Sequence, residues 1–139
     1  SWHVNGQRAS EGRWEQGQQV GELLTWYADG ARESKGTWVA GKQEGVVTYW
    51  YQTGGVQEIG QWVAGNPNGP MFSWYEDGTK KAEARYKHGV AHGIWREWYA
   101  DGRRHVMGRY RDGIQMRIRC WSEAGQRKNC IPPTVPVSQ

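Results

Sequence analysis

No stretch of the 139 residues approaches the ~20 consecutive apolar positions of a membrane-spanning helix. No apolar stripe with a helical period persists anywhere, which argues against amphipathic helices. Phosphate-cradling glycine loops and a non-repeating nucleophile–base set are both missing, so the chain reads as no enzyme and calls for no cofactor. His88 and His92 stand four apart, but a turn falls at that place and no acidic or cysteine partner completes a set. They read as surface-loop histidines, with no metal. The basic residues come without a recognised nucleic-acid motif, so nucleic acid is not the expected partner. No secretory leader opens the chain, an absence that a trimmed mature chain would share. Apolar residues make up 37% and mean hydropathy is −0.91. That is too little for a thick core, although a thin sheet bearing large aromatic side chains can be stable without one. The length fits one structural unit.

What the chain has is a period. Trp2, Trp14, Trp26, Trp38, Trp50, Trp62, Trp74, Tyr86, Trp98 and Tyr110 occupy every twelfth position without a slip. Glycine recurs at twice that interval in four phases, which hold 18 of the 20 glycines. One phase is Gly6, Gly30, Gly54, Gly78 and Gly102; another is Gly21, Gly45, Gly69 and Gly93. The repeating unit therefore spans two aromatic rungs in two unequal halves, and it recurs about five times.

Each half-unit holds one short run and one turn. Asp29-Gly30, Asp77-Gly78, Asp101-Gly102 and Asp112-Gly113 are turn signals, because Gly supplies a positive φ and Asp bonds nearby backbone. The runs between turns are of strand length, and Val46-Val47-Thr48-Tyr49-Trp50-Tyr51 is the clearest. Strands joined in this way pair antiparallel, giving an elongated meander of about ten strands on the order of 50 Å long. The row Trp26/Trp50/Trp74/Trp98 and the row Trp38/Trp62/Tyr86/Tyr110 then line opposite long edges. Rings within a row are roughly 10 Å apart, so side chains of the intervening strand must fill the gaps. Gly36 before Trp38 and Gly60 before Trp62 are expected to leave room for a neighbouring ring. Tyr27, Tyr51, Tyr75 and Tyr99, with His3 in the first unit, point to the face opposite the Trp that precedes them.

The pattern Gly36-x-Trp38-x-x-Gly41-x-x-x-Gly45 followed by Trp50-Tyr51-x-x-Gly54 resembles a MORN repeat. Residues 86–102, from Tyr86-Lys87-His88-Gly89 to Trp98-Tyr99-Ala100-Asp101-Gly102, resemble the MORN-variant repeat of bacterial proteins, some of them labelled antitoxins of a toxin–antitoxin system. The resemblance spans roughly residues 1–117. It implies an all-β, elongated, twisted single sheet of hairpins, with roles in protein–protein contact, dimerisation or membrane-associated scaffolding. Arg117 takes the phase of Gly93, so the pattern is expected to end there. Trp121 and Gly125 fall one residue short of the next rungs. Pro67 and Pro70 bracket Gly69 and predict a modified or frayed strand.

Residues 118–139 are expected to form a C-terminal cap: a Cys120–Cys130 disulfide loop, then a Pro-rich tail over 131–137 that packs back or dangles. A disulfide implies an oxidising compartment, hence a periplasmic, cell-surface or secreted location; free thiols are the alternative. Charge is uneven, net −2 over residues 1–70 and net +6 over 71–139. Arg103, Arg104, Arg109, Arg111, Arg117 and Arg119 make an anion-binding candidate or, alternatively, a solvated edge that blocks aggregation. Trp95 lies off the ladder, and its parity matches Tyr99. Those two rings and Tyr75 are expected to share an exposed patch, while the ladder itself is structural. The expected function is a non-catalytic module that binds another protein or a second copy. The alternative is binding of cell-wall glycan or an anionic membrane surface.

Overall fold

The computed structural model describes residues 1–130. The strands form one antiparallel sheet in strict sequence order. They are β1 (Ser10–Glu15), β2 (Gln18–Trp26), β3 (Arg32–Val39), β4 (Lys42–Trp50), β5 (Val56–Val63), β6 (Asn66–Trp74), β7 (Lys80–Lys87), β8 (Val90–Trp98), β9 (Arg104–Arg111), β10 (Ile114–Trp121) and β11 (Arg127–Lys128). A lone bridge between Trp2 and Arg8 precedes β1. The single-sheet meander of hairpins expected from the periods is the structure.

Two kinds of turn alternate along the ribbon. On one long edge, Gln16-Gly17, Ala40-Gly41, Ala64-Gly65, His88-Gly89 and Asp112-Gly113 have positive φ at both residues. This is the two-residue turn whose twist matches that of the flanking strands. The glycine N–H of such a turn donates back to the preceding hairpin, as from Gly41 to the Gln19 carbonyl and from Gly65 to that of Gln43, both 2.9 Å. On the other edge, Asp29, Asp77 and Asp101 each accept the N–H two residues on, from Ala31, Thr79 and Arg103. That bond holds the Asp29 and Asp77 carboxyls below the usual carboxylate range. Asp112 differs from its expected grouping: it takes a φ of 50° in a two-residue turn and bonds no residue two ahead.

The register sorts side chains onto two faces. Face A carries the buried residues Ser34, Val47, Ala84 and Cys120, which are the whole core among the described residues apart from glycine. Ser34 is satisfied by Thr25, with the two hydroxyls 2.7 Å apart. The second aromatic row also lies on face A. A Cβ on Gly36 would sit 2.9 Å from the Trp38 ring, and one on Gly60 would sit 2.5 Å from the Trp62 ring. These glycines therefore make room for the ring two residues later on their own strand, not for that of a neighbouring strand. An indole is long enough to lie back over the residue that shares its face. Ala84 precedes Tyr86, whose smaller ring leaves space for a methyl group.

Three expectations change. β6 is not frayed: it runs nine residues and pairs on both sides, Pro67 with Trp62 and Pro70 with Arg85. Both prolines lie in or beside a bulge facing β5, between Pro67 and Met71, where the ladder is already interrupted. Nor does the pattern stop at Arg117. β10 continues to Trp121, and the turn after it repeats the others: Ser122 N–H donates to the Gln126 carbonyl and Gly125 N–H to that of Ser122. The missing residue comes out of the β10 bulge. In β8, Ala91 to Trp95 faces Tyr86 to Ala84; in β10, Gln115 to Arg117 faces Tyr110 to Arg109. The longer bulge puts Gly93 at φ 105°, whereas Arg117 has no such burden. A boundary at 117 consequently falls inside a strand. Cys120 and Cys130 form a disulfide that ties β10 to the segment after β11. The Pro-rich tail lies outside the described residues.

Candidate functional site

Two aromatic systems organise the sheet, and each binds its strands differently. On face B, Trp26, Trp50, Trp74, Trp98 and Trp121 line the edge that carries the Asp-Gly turns. Cations from the intervening strands fill the gaps between them. Arg8 lies 5.6 Å and 5.7 Å from the Trp2 and Trp26 rings, Arg32 5.5 Å from Trp50, Lys80 5.6 Å from Trp98, and Arg104 5.9 Å from Trp121. Positions 8, 32, 80 and 104 share one phase of the repeat, interrupted by Val56. That phase was available in the sequence as a signal, but charge is less conspicuous than tryptophan.

The tyrosines following the face B tryptophans form a second, hydrogen-bonded file. Tyr27, Tyr51, Tyr75 and Tyr99 donate their hydroxyls to the carbonyls of Trp50, Trp74, Trp98 and Trp121, each 2.7 Å away. In the first unit His3 Nε2 takes the same place, 2.7 Å from the Trp26 carbonyl. Burial pushes the Tyr27 and Tyr75 hydroxyls above their usual range, which keeps them as donors.

These bonds decide where the candidate binding residues lie. Tyr75 and Tyr99 are half-buried and tied to backbone, and Lys81 covers the Tyr75 ring at 5.6 Å. Trp95 lies between the rings of Tyr86 and Tyr110 at 6.0 Å and 5.1 Å, while Tyr99 stacks on His105 with ring centroids 4.5 Å apart. Its indole N–H donates to Glu97 Oε1 at 2.7 Å, and His105 Nδ1 lies 3.3 Å from the other carboxylate oxygen. Among the arginines, Arg103 bonds the Glu123 carbonyl and Arg104 covers Trp121. The remaining four, Arg109, Arg111, Arg117 and Arg119, are exposed on β9 and β10, without an ion pair among the described residues. Arg109 and Arg117 are direct cross-strand partners on face B. Like charges so placed are destabilising, which makes the pair a feature to explain.

His88 and His92 do not converge. His88 occupies a turn at φ 50°, and His92 Nδ1 faces Asp112 at 3.2 Å. No group of three or more metal-ligating side chains is assembled among the described residues.

Residues 43–64 and 67–88, which begin one full repeat apart and correspond to the hairpins β4–β5 and β6–β7, match the MORN repeat variant. These two stretches are MORN repeats. MORN repeats are generally non-catalytic binding or scaffold modules, mediating contacts with proteins or membrane lipids. The match describes the repeat alone, and an antitoxin role does not follow from it. No curated protein matches the chain.

Proposed function

We propose that this MORN-repeat chain is a non-catalytic binding module whose partner is another protein, working in an oxidising compartment outside the cytoplasm. The observation behind this reading is the economy of its interior. A single layer with so few buried side chains leaves both long faces available, and those faces differ in chemistry. Face A is aromatic with scattered carboxylates, while face B at its C-terminal end is arginine-rich. The Cys120–Cys130 disulfide supports the compartment. Affinity capture from the native envelope fraction with the oxidised chain, alongside solution mass measurement, tests the proposal. Specific recovery of a protein is the expected result. A strict monomer that captures nothing counts against it.

The Arg109–Arg117 pair favours a second reading, in which the face B arginines contact an anionic membrane surface. Sedimentation with anionic vesicles separates the two. Lipid binding would fall with Arg109→Glu plus Arg111→Glu and collapse at high salt, whereas a glycan contact through Trp95 and Tyr99 would resist salt.

A further inference from the structure

Face A is not uniform along its length. Over strands β5 to β8 its cross-strand row runs Glu58, Ser73, Ala82, Glu97. The adjacent row runs Gly60, Met71, Ala84, Trp95. Small residues at Ser73, Ala82 and Ala84 make a floor, and larger groups stand around it. The result is a trough of about 170 Å³ bounded by Glu58 at one end, with Met71, Tyr86 and Trp95 as walls. That is well under the roughly 300–1,000 Å³ of a site for a drug-sized molecule, and on the scale of one long side chain.

The chemistry of the walls selects that side chain. Glu58 is half-buried and has no ion-pair partner among the described residues. Burial raises its carboxyl above the usual range, and the charge of Lys81 offsets this only in part. Tyr86 reports the same field, its hydroxyl raised by burial and further by Glu58. A partly desolvated carboxylate that makes no ion pair, in a trough walled by two aromatic rings, favours a cation with an apolar stem. Lys81, the cation of this chain that acts on Glu58, makes no ion pair with it, and its ammonium lies over the Tyr75 ring at 5.6 Å. Residues 131–139 contain no lysine or arginine, and the unpaired Arg109 and Arg117 lie on the opposite face of the sheet. A planar guanidinium suits this setting better than an ammonium, because it pairs with a carboxylate through two parallel N–H groups and also stacks on rings.

We propose that the trough over Ala82 and Ala84 binds an arginine side chain presented by an extended segment of a partner protein, its guanidinium at Glu58 and its stem along Met71, Tyr86 and Trp95. This deepens the protein-binding reading above and rests on it.

The probe is the capped tripeptide Gly-Arg-Gly, with its citrulline analogue as the neutral control. Both are titrated into the oxidised chain while the Ala82 and Ala84 methyl signals and the Trp95 indole N–H are followed by NMR. Saturable shifts centred on these three groups are expected with the arginine peptide and not with citrulline. Glu58→Gln should weaken binding by about tenfold or more, the effect of losing a charge-assisted bidentate contact. The same variant should be at least as thermally stable as the parent, so lost binding cannot be ascribed to lost folding. Arg109→Glu, on the other face, should bind unchanged. Equal shifts with citrulline, shifts spread over the Asp29, Asp77 and Asp101 turns, or indifference to Glu58→Gln would each overturn the assignment. Self-association of the chain that Glu58→Gln abolishes would assign the trough to a second copy and overturn the partner. If envelope capture succeeds equally with Glu58→Gln, the module still binds protein and only this site is wrong.

Discussion

Tyr51 donates its hydroxyl to the backbone carbonyl of Trp74, one repeat further along the chain and 2.7 Å away. The same reach along the chain recurs from Tyr27 to Trp50 and from Tyr75 to Trp98. Each bond ties together two successive turns on that long edge, which no strand pairing connects directly. Tyr51→Phe removes the donor and keeps the ring. The expected loss is about 0.5–1.5 kcal/mol, read as a lower urea midpoint at unchanged slope. An unchanged midpoint would show that the file is incidental to stability.

Gly60 and Trp62 form a steric pair. Gly60 has no positive φ, and the nearest atoms an alanine there meets are the indole, 2.5 Å away, and the Met71 methyl at 3.2 Å. Gly60→Ala should destabilise by about 1–3 kcal/mol through overpacking. Trp62→Tyr alone removes ring surface. Together they recreate the Ala84/Tyr86 combination of the neighbouring repeat, so the two changes should cost less than their sum. A double-mutant cycle in urea measures this, and strict additivity would refute the ring-over-glycine account.

Arg104 and Arg117 belong to one sequence cluster but should respond oppositely. Arg104→Ala loses the contact over Trp121 and should cost about 0.5–1 kcal/mol. Arg117→Ala relieves a like-charge cross-strand pair with Arg109 and should be neutral or stabilising by about 0.2–1 kcal/mol. Thermal melts at low and high salt would check both, with the Arg117 effect shrinking as salt rises. Equal losses from the two variants would remove the distinction.

Glu58 gives a pH dependence of known sign. Burial raises its folded-state pKa, so the folded chain favours the protonated carboxyl. Its contribution to stability is most favourable below the unfolded pKa and is lost as pH rises through the folded value. Glu58→Gln should therefore raise the melting temperature at neutral pH, with the gain vanishing in acid. A variant less stable than the parent at pH 7 would contradict this.

Reducing the Cys120–Cys130 bond opens a loop of ten-residue separation, worth about 2.7 kcal/mol by chain entropy. In a linear array each unit touches only its neighbours, so the loss should stay local. Hydrogen exchange should quicken in β10 and β11 of the reduced chain while β3 to β6 remain protected. Uniform quickening would mean that the sheet melts as one unit.

Much of this was legible in the residues because a strict period is a strong constraint. An aromatic ring at every twelfth position, with glycine at twice that interval, determines strand length, turn position, antiparallel pairing and the single layer. Each of these follows from local backbone geometry repeated without a slip. The separation of the two aromatic rows and the place of His3 in the tyrosine file came from the same counting. What depended on side chains meeting across strands was not legible. That Trp95 nests between Tyr86 and Tyr110, and meets Tyr99 only through Glu97 and His105, turns on register across β7 to β10. Whether an arginine is free or laid over a tryptophan turns on a ring at the end of the next strand, as with Arg32 over Trp50 and Arg104 over Trp121. The loss of one residue before Trp121 breaks the count in sequence, yet in space a shorter bulge absorbs it. Periodicity is a property of the backbone and survives in one dimension. The trough at Glu58, the file of cations and the Arg109–Arg117 pair exist only once β5 to β10 lie side by side, because each is built from residues on different strands.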